Sequence, residues 1–477
     1  MMIELKREAC LIDGDWVAGD AWLDVDDPAT GAIIGRVPRL GKVEAGRAIA
    51  AADRARAGWA ARPAKDRSAV LQRFYALVID HREELAALLA QEQGKPRAEA
   101  RDEITYAAGF IEWYAEEAKR IYGELLAGPT TDKRIMVLKQ PIGVVAAITP
   151  WNFPAAMVTR KIAPALAAGC GVVVKPAEQT PFTALALGAL AQAAGLPAGL
   201  LNIVTGDAVE IGQCLTESPV VRKLSFTGST AVGSLLYAQC APTIKKLSLE
   251  LGGNAPFILF DDADVDAAVE GAIQSKFRNA GQTCVCTNRI YVQRGVHDLF
   301  VTKLIAAAEL LKVGPSSDSE SQVGPLIDDA AVAKILAHIG DAVNGGAKIE
   351  TGGGPAPAGG RFMSPTILTG VTGEMRVMRE ETFGPVAAIM SFEDEAEAIA
   401  LANSSEAGLA AYVYTRDLSR AWRFVEKVET GMVGVNTGLI STELAPFGGI
   451  KTSGLGREGA RQGIDEYLET KYACIAV

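Results

Sequence analysis

The feature that most constrains the fold of this chain is a regular alternation of short apolar runs with helical segments. Runs such as VVAAI from Val144, GVVVK from Gly171 and KLSF from Lys223 are bounded by Gly, Pro or polar residues, as buried strands are. A segment with helical character, ALALGALAQAAG from Ala184, lies between two of these runs. Strands that alternate with helices predict parallel βαβ units and therefore a doubly wound α/β sheet.

The alternation starts again after Leu249, which predicts a second α/β domain. The strands expected there are NAPFILF and NRIYVQ, and the helices expected there cover residues 265–279 and 300–311. Helical periodicity also covers residues 44–92 and 99–121, ahead of the first strand of the series. Residues 352–360, GGGPAPAGG, are expected to form a surface loop.

Composition excludes several classes of partner. The 47 basic and 57 acidic residues give a net charge of −10, and no basic block stands out, so nucleic acid is not expected as a partner. The first ten residues mix charges and lack the apolar run of a signal peptide, and no apolar run is long enough to cross a bilayer. We therefore expect a cytoplasmic protein without a membrane partner.

The cysteines and histidines narrow the possible chemistry. Seven scattered cysteines in a long chain do not suit a disulfide framework, so reduced thiols are expected. The three histidines lie far apart and none is beside a cluster of cysteines or carboxylates, so neither a zinc site nor a Ser/His triad is expected. The histidines are His81, His297 and His338.

Cys284, in the segment KFRNAGQTCVCTNR, is the candidate nucleophile. Most single cysteines are small buried hydrophobic residues, and only the surrounding residues favour a catalytic role here. A thiolate suits aldehyde oxidation because it adds to the carbonyl, leaves an oxyanion that can expel hydride, and yields a thioester that water can cleave. That chemistry also requires a base, an oxyanion donor and a hydride acceptor.

Two residues are candidates for the base and the oxyanion donor. Glu250 in SLELGGN ends an apolar strand, where burial would raise its pKa toward neutrality, although a solvated carboxylate in a turn fits equally well. Asn152 in TPWNFP follows a strand and could donate to the oxyanion together with the backbone N–H of Cys284. An Asn that only stabilises a turn is the alternative.

A dinucleotide site is predicted without the usual GxGxxG motif. The strand KLSF runs into TGSTAVG, where Gly228 would let a helix N-terminus approach a pyrophosphate and Ser229 could donate a hydrogen bond. Lys175 and Glu178 in VVVKPAEQTP follow another strand, where ribose hydroxyls bind in open α/β folds. Because a carboxylate accepts from both adenosine ribose hydroxyls and repels a 2′-phosphate, Glu178 predicts NAD in preference to NADP.

Glu381 and Phe383 in EETFGPV complete this predicted cofactor site. They supply a carboxylate and an aromatic ring that could hold the nicotinamide ribose. Taken alone, the same residues would be interpreted as an ordinary turn.

Seven motifs together resemble the aldehyde dehydrogenase superfamily in content and order, over nearly the whole chain. The motifs are TPWNFP, KPAEQTP, FTGST, LELGGN, GQTC, EETFGP and PFGGIKTSGLGREG. The resemblance implies that Cys284 is the nucleophile, Glu250 the general base and Asn152 the oxyanion donor. It implies that the cofactor is lined by Trp151, Lys175, Glu178, Gly228, Ser229, Leu251, Glu381 and Phe383.

The resemblance also implies an α/β fold of the aldehyde dehydrogenase type. Two doubly wound α/β domains are expected, one binding NAD(P) (residues 1–122 and 142–250) and one catalytic (residues 251–444). A small bridging β element (residues 123–141 and 445–477) would pair subunits into homodimers or homotetramers.

Within the superfamily, three segments are most similar to succinate-semialdehyde dehydrogenases: PWNFPAAMVTRKIAPALAAGC, SKFRNAGQTCVC and NTGLISTELAPFGGIK. In that subfamily two arginines and a serine hold the distal carboxylate of the aldehyde, and the matching positions are Arg160, Arg278 and Ser441. Arginine suits this role because its planar guanidinium binds a carboxylate through two hydrogen bonds. Surface arginines in ordinary ion pairs are the alternative interpretation.

Two points of specificity follow from this subfamily. Its bacterial members often carry a small residue at the position of Glu178 and use NADP, so Glu178 is a departure that favours NAD. A clamp on one carboxylate discriminates weakly between substrates that differ by one methylene, so glutarate semialdehyde is an alternative substrate. A broad-range aldehyde dehydrogenase is a further alternative.

The residues around Cys284, considered without the resemblance, are also compatible with other functions. A non-redox thiol acyl hydrolase or transferase could use Cys284, but it would not need residues arranged around a dinucleotide. A binding protein would have no use for a thiol, a base and an amide donor together, and rapid alkylation of Cys284 at neutral pH would distinguish an enzyme from it. Cys286 could form a regulatory disulfide with Cys284, or it could simply be a packed thiol.

Overall fold

The structure is a computed structural model and describes residues 3–477, so residues 1 and 2 of the predicted first domain lie outside the described chain. The predicted helical stretch 44–92 is three helices, because Pro63 precedes the second and the chain turns at His81 before the third. The α-helices are Lys42–Ala60, Ala64–Asp80, Arg82–Gln93, Arg97–Glu117, Ala156–Ala168, Pro181–Ala193, Ala208–Glu217, Thr230–Cys240, Val265–Phe277, His297–Glu309, Asp329–Asn344, Arg376–Arg379, Glu395–Asn403, Leu418–Lys427 and Gln462–Asp465.

The first large sheet has eight strands, and its five central strands are parallel, as the βαβ pattern predicts. In spatial order the strands are Asp15–Val17, Cys10–Ile12, Leu201–Ile203, Gly171–Lys175, Val144–Ile148, Val221–Thr227, Lys246–Glu250 and Gly454–Leu455. The last of these runs antiparallel to its neighbour and comes from the C-terminal part of the chain.

Both faces of this sheet are buried, which is why its strands are continuous apolar runs. Val145 and Ala147 belong to the core on one face, whereas Val144 and Ala146 belong to the core on the other. Successive side chains of a strand point to opposite faces, so helices must cover both sides. The sheet is therefore doubly wound, as predicted.

The second large sheet has seven strands, all parallel except the first. In spatial order they are Lys348–Thr351, Thr366–Thr369, Val386–Phe392, Thr287–Gln293, Ala255–Leu259, Ala410–Tyr414 and Met432–Val435. This sheet has its own apolar core, in which Phe257, Ile290 and Tyr412 are fully buried or nearly so. The prediction of a second α/β unit after Leu249 is confirmed.

A separate three-stranded antiparallel sheet, here called the small sheet, contains strands Glu124–Ala127, Lys133–Pro141 and Leu468–Ala476. All three strands fall within the two segments expected to form the bridging element. Residues 454–455, also assigned to that element, instead pair with the eight-stranded sheet. The predicted domain limits stay a prediction. Two pairs of short strands complete the β structure: Trp22–Asp26 with Ile33–Pro38, and Ala407–Gly408 with Ile450–Lys451.

Among the described residues, no helix combines the length and the apolar character needed to cross a membrane.

Candidate active site

A cleft lies between the two large sheets. One wall comes from residues just beyond the carboxyl ends of strands in the eight-stranded sheet, and the other from loops that precede strands of the seven-stranded sheet. Eight of the predicted site residues line it: Trp151, Asn152, Gly228, Ser229, Leu251, Cys284, Glu381 and Phe383. Met157, Asp328 and Lys334 line it as well and were not predicted.

Cys284 lies on a loop whose backbone is strained. Asn279, Ala280 and Gly281 have positive φ angles of 52°, 54° and 74°, a conformation that only glycine adopts without cost. The loop also packs tightly, because a Cβ atom at Gly253 would lie 2.2 Å from the carbonyl oxygen of Cys284. Gly253, the second glycine of LELGGN, therefore allows the chain after Glu250 to approach the nucleophile.

The half-buried thiol of Cys284 is held in its neutral form. Burial raises its pKa to about 12, and the nearby carboxylate of Glu250 raises the pKa further than Arg160 lowers it. A pKa this high favours the protonated thiol at neutral pH, and rapid alkylation of Cys284 stays a prediction. The nucleophile therefore needs a base, or a change in its surroundings, before it can react.

Glu250 ends strand Lys246–Glu250 and is only 3% exposed. Neither oxygen of its carboxyl group has a hydrogen-bond partner. Burial raises the pKa of Glu250 well above its ordinary value of 4.5, and the charge of Glu458 raises it further. The sequence predicted this direction. A carboxyl group of this kind can act as a general base once it loses its proton.

Asn152 is fixed with its amide toward Cys284's loop. Its Nδ2 donates a hydrogen bond to the carbonyl of Gln282 at 3.0 Å, which leaves the second amide hydrogen free for an oxyanion. Its backbone carbonyl accepts from Lys95 Nζ at 2.8 Å and from Asn279 Nδ2 at 3.1 Å. Sequence reasoning missed Lys95, because a single lysine in GKPRAE carries no signal of this tertiary contact.

Lys95 is itself held by a buried carboxylate. Its Nζ lies 2.6 Å from Oε2 of Glu103, and both side chains are 1% exposed. The other oxygen of Glu103 accepts from the backbone N–H groups of Ala155 and Ala156, at the start of helix Ala156–Ala168. A carboxylate is stabilised at a helix N-terminus, so this pair ties Asn152 to two helices.

Lys175 and Glu178 lie beyond strand Gly171–Lys175 and form an ion pair. Lys175 is buried, whereas the side chain of Glu178 is 37% exposed. They lie at the carboxyl edge of the sheet, where ribose hydroxyls bind in open α/β folds. Neither residue forms part of the cleft wall around Cys284, so a bound dinucleotide would extend beyond that cleft.

The turn after strand Val221–Thr227 forms part of the cleft wall. The N–H of Gly228 donates to the carbonyl of Glu250 at 3.0 Å, and Ser229 caps helix Thr230–Cys240 by accepting from the N–H of Val232. A Cβ atom at Gly233 would lie 2.3 Å from the side chain of Leu251, which forms part of the wall. The absence of a side chain at Gly233 thus leaves room for Leu251. The N-terminus of the same helix suits a pyrophosphate.

Glu381, Phe383 and Trp151 meet across the cleft. Oε1 of Glu381 accepts from the N–H of Gly253 at 3.0 Å, and burial raises the pKa of Glu381 to about 7. Phe383 has a φ angle of 56°, and its ring lies edge-on to Trp151 with centroids 5.6 Å apart. This carboxyl group and these two rings could hold a nicotinamide ribose.

Arg160 is 1% exposed and lies beside a buried carboxylate that the sequence did not reveal. Its Nε is 2.6 Å from Oε2 of Glu458, while Lys161 donates to the other oxygen of Glu458 at 2.5 Å. The guanidinium packs over the ring of Phe447 at 4.1 Å, and its Nη2 has no hydrogen-bond partner. Glu458 belongs to the GREG sequence of the C-terminal motif, which was the one available signal.

Arg278 is half-buried at the end of helix Val265–Phe277 and packs over Phe153 at 5.6 Å. Within residues 3–477, no carboxylate forms an ion pair with it. The next residue, Asn279, begins the strained loop, and its N–H donates to Oε2 of Glu99 at 2.8 Å. Ser441 is half-buried in the loop after strand Met432–Val435 and lies outside the cleft wall.

Cys286 is a free, buried thiol whose sulfur contacts two backbone carbonyls. Its Sγ donates to the carbonyls of Lys276 at 3.4 Å and Thr287 at 3.5 Å, and burial raises its pKa. This packing favours the simple interpretation of the residue. The disulfide with Cys284 stays an untested hypothesis.

Comparison with known proteins identifies relatives over nearly the whole chain. A model of the aldehyde dehydrogenase family matches residues 16–473. The chain is 58% identical to a glutarate-semialdehyde dehydrogenase of Pseudomonas aeruginosa over 99% of this chain and 98% of that protein. It is also 58% identical to the NADP(+) succinate-semialdehyde dehydrogenase of Escherichia coli, over 99% of this chain and 98% of that protein. A crystal structure of succinate-semialdehyde dehydrogenase from Burkholderia pseudomallei superposes with a TM-score of 0.98 at 59% identity, covering 99% of this chain and 98% of that one.

Proposed function

The chain belongs to the aldehyde dehydrogenase family, and from that premise we propose that it oxidises succinic semialdehyde to the dicarboxylic acid. The observation that carries this choice of substrate is Arg278. It is a half-buried guanidinium with no ion-pair partner among the described residues, on the loop that leads to Cys284. A buried cation without a partner favours an anionic ligand, and the distal carboxylate of a semialdehyde supplies one.

Arg160 would bind the same carboxylate from the other side. Its Nη2 is a buried donor without a hydrogen-bond partner. Its Nε lies 2.6 Å from Glu458 as an ion pair, but without the geometry of a hydrogen bond. Because Glu458 neutralises part of the charge of Arg160, Arg278 should contribute more of the attraction for the substrate. Ser441 lies in a nearby loop and would add a hydroxyl donor.

Glutarate semialdehyde is the second candidate substrate. Relatives at 58% and 59% identity carry the name glutarate-semialdehyde dehydrogenase. A guanidinium clamp recognises the end of the chain and not its length, so one additional methylene changes the binding free energy by only about 1 kcal/mol.

In the first half of the reaction, the thiol of Cys284 releases its proton to solvent, and the resulting thiolate adds to the aldehyde carbon. Negative charge then develops on the aldehyde oxygen, where the free hydrogen of Asn152 Nδ2 and the backbone N–H of Cys284 stabilise it. Lys95 and Gln282 matter here because they fix the orientation of Asn152 before the substrate arrives.

In the second half of the reaction, Glu250 activates the water that cleaves the Cys284 thioester. Its buried carboxyl group has no competing hydrogen-bond partner, so its oxygens are free to accept a proton from water. The raised pKa of Glu250 makes it a stronger base than an exposed glutamate once it is ionised. The acid product then leaves and the thiol is restored.

The residues around the cleft fit a nicotinamide dinucleotide, which supplies the hydride acceptor when bound. Ser229 and the start of helix Thr230–Cys240 would hold the pyrophosphate, and Glu381 and Phe383 the nicotinamide ribose. Glu178 would accept hydrogen bonds from the adenosine ribose, and its charge favours NAD over NADP. The ion pair with Lys175 supports this because it orients the carboxylate at the edge of the sheet.

We also infer that subunits pair through the small sheet. Its two outer strands expose Leu125 and Tyr472, 72% and 71% of their surfaces respectively. Both edges of that sheet are unpaired in the described chain, and exposed apolar edges are typical of surfaces that a partner covers.

The test of the proposed function is the variant Arg278→Ala. For succinic semialdehyde we expect a 30-fold or larger loss in kcat/KM, about 2 kcal/mol or more, mainly through KM, because a carboxylate loses its charged partner. For butanal, which has no carboxylate, the change should stay within about threefold. Arg101→Ala removes an exposed arginine of helix Arg97–Glu117 that pairs with Glu83, so it is the control and should change kcat/KM for neither substrate. Equal losses for both aldehydes in Arg278→Ala would contradict the proposal.

A further inference from the structure

Tyr106 has a buried hydroxyl with no hydrogen-bond partner. The residue lies in helix Arg97–Glu117, and its side chain is only half-buried as a whole. Its ring lines a shallow outer cleft together with Tyr75, Gly109 and Glu443. Since the ring is accessible from outside while the oxygen is not, the hydroxyl points inward from this cleft.

Phe110 contacts both Tyr106 and Arg160, so this arginine lies near Tyr106. The ring of Tyr106 meets Phe110 edge-on with centroids 4.9 Å apart, and the guanidinium of Arg160 lies 5.5 Å from the centroid of Phe110. Burial raises the pKa of Tyr106, while the positive charges of Arg160 and Arg278 lower it, so both guanidinium groups are close enough to act on the phenol. Glu443 and the sulfur of Cys284 act on it too and raise the pKa.

A buried hydroxyl without a partner costs stability, and such groups in folded proteins usually await a ligand or a water. The group that would complete this one must be an acceptor, because the phenol is neutral at physiological pH and its neighbours Arg160 and Arg278 are donors only. The Nη2 of Arg160 is a second buried donor without a partner in the same region. One carboxylate has enough lone pairs to accept from all three side chains.

We propose that Tyr106 is a specificity-determining residue whose hydroxyl donates a hydrogen bond to the distal carboxylate of the substrate, beside Arg160 and Arg278. This inference rests on the proposed function, since it requires a substrate with an acid group at its far end. It adds a neutral donor to the two charged ones. A hydroxyl donor of fixed position also adds a third constraint on the geometry of the acid group, beside the two arginines.

Tyr106→Phe tests the proposal, because it removes the hydroxyl and keeps the ring that packs on Phe110. For succinic semialdehyde we expect KM to rise about tenfold or more with kcat within about twofold, as for the loss of one hydrogen bond to a charged group. For butanal, kcat and KM should both stay within about twofold. Tyr75→Phe is the matched control, since Tyr75 lines the same outer cleft, and it should leave both substrates unchanged.

The outcomes separate this inference from the proposed function. If the wild-type enzyme prefers succinic semialdehyde to butanal but Tyr106→Phe changes both equally, or changes neither, the inference is wrong and the proposed function stands. If the wild-type enzyme shows no preference for the carboxylated aldehyde, the proposed function is wrong and the inference is overturned with it. A selective rise in KM for the carboxylated aldehyde supports both.

Discussion

At the scale of single residues, the site depends on two buried glutamates in different surroundings. Burial alone would raise the pKa of Glu458, but Lys161 and Arg160 lower it below its ordinary value. Glu250 has no such partner, so burial and the charge of Glu458 raise its pKa. Two carboxyl groups whose pKa values are separated in this way can have different roles, one as a fixed anion and one as a proton acceptor. In the proposed mechanism, Glu458 would be the fixed anion and Glu250 the proton acceptor.

The first prediction at this scale concerns Glu250→Gln. We expect this variant to form the thioester and then hydrolyse it 10² to 10⁴ times more slowly, roughly the contribution of a general base. Stopped-flow absorbance should show a burst of reduced nicotinamide close to one equivalent per active site, followed by a slow phase. Cys284→Ala should show no burst. Absence of a burst in Glu250→Gln together with a slow first turnover would indicate that Glu250 acts before the thioester forms.

The second prediction concerns the pH dependence of the free thiol. Only the thiolate form of a cysteine reacts with iodoacetamide. Because burial raises the pKa of Cys284 to about 12, the thiolate fraction is small at pH 7 and grows about tenfold per pH unit. Alkylation of the cofactor-free enzyme by iodoacetamide should therefore be slow at pH 7 and about a hundredfold faster at pH 9. Mass spectrometry of the Cys284 peptide measures the rate, with Cys284→Ala as the blank. A rate that is already at a plateau at pH 7 would contradict the description of this thiol.

At the scale of elements, helix Arg97–Glu117 organises the site from outside the two sheets. Glu99 holds the strained loop at Asn279, and Glu103 holds Lys95 and the start of helix Ala156–Ala168. Tyr106, one turn further along, carries the hydroxyl that we propose binds the substrate carboxylate. One face of this helix therefore positions the oxyanion donor, the nucleophile loop and the proposed substrate pocket.

The prediction for this element is the variant Glu103→Gln. It leaves Lys95 buried without a charged partner, so we expect the free energy of unfolding to fall by about 3–5 kcal/mol, measured by denaturant titration. Adding Lys95→Met to this variant should recover part of the loss, because the unpaired charge is gone. Glu83→Gln, which breaks the exposed pair with Arg101, is the control and should cost much less. A loss in Glu103→Gln no larger than in the control would mean that the buried pair does not stabilise the fold.

The strands and helices were largely predictable, because a buried parallel strand is a continuous apolar run and an amphipathic helix repeats with its own period. The predicted helix 265–279 ends two residues early, since Asn279 adopts a left-handed conformation that no sequence period reveals. Contacts between residues far apart in the chain were harder to predict. The contact of Lys161 with Glu458 joins positions 297 residues apart, and only the tertiary structure brings them together.

At the scale of the whole molecule, the two large sheets bring the predicted nucleophile and most of the predicted cofactor residues to one cleft. Glu381 and Phe383 share the wall of Cys284, and the other cofactor residues of the cleft lie on the opposite wall. Motif order predicted which residues meet there, and eight of the fourteen named site residues form the wall itself. The other six lie behind or beside it, since Glu250, Lys175 and Arg160 are buried and Glu178, Arg278 and Ser441 are only partly accessible. Sequence motifs identify such residues, but they do not distinguish residues that line the cleft from residues that lie behind it.

The prediction for the whole molecule concerns assembly through the small sheet. Wild-type protein should sediment as a dimer or tetramer, and the double variant Leu125→Asp with Tyr472→Asp should shift toward smaller species, because charges replace exposed apolar side chains at the two sheet edges. Leu310→Asp changes a leucine that is 80% exposed but lies outside the small sheet, so it should leave the assembly unchanged. A monomeric wild-type protein, or a double variant that assembles normally, would contradict this interface.

The most direct test of the central claim is kcat/KM of the wild-type enzyme for succinic semialdehyde, glutaric semialdehyde and butanal, each with NAD and with NADP, from the absorbance of reduced nicotinamide. With the arginine clamp, both semialdehydes should exceed butanal by about a hundredfold, roughly 2.7 kcal/mol, and NAD should be the better cofactor. A faster reaction with NADP would show that Glu178 does not face the adenosine ribose. Butanal as good as either semialdehyde would contradict the clamp and leave only the membership in the family.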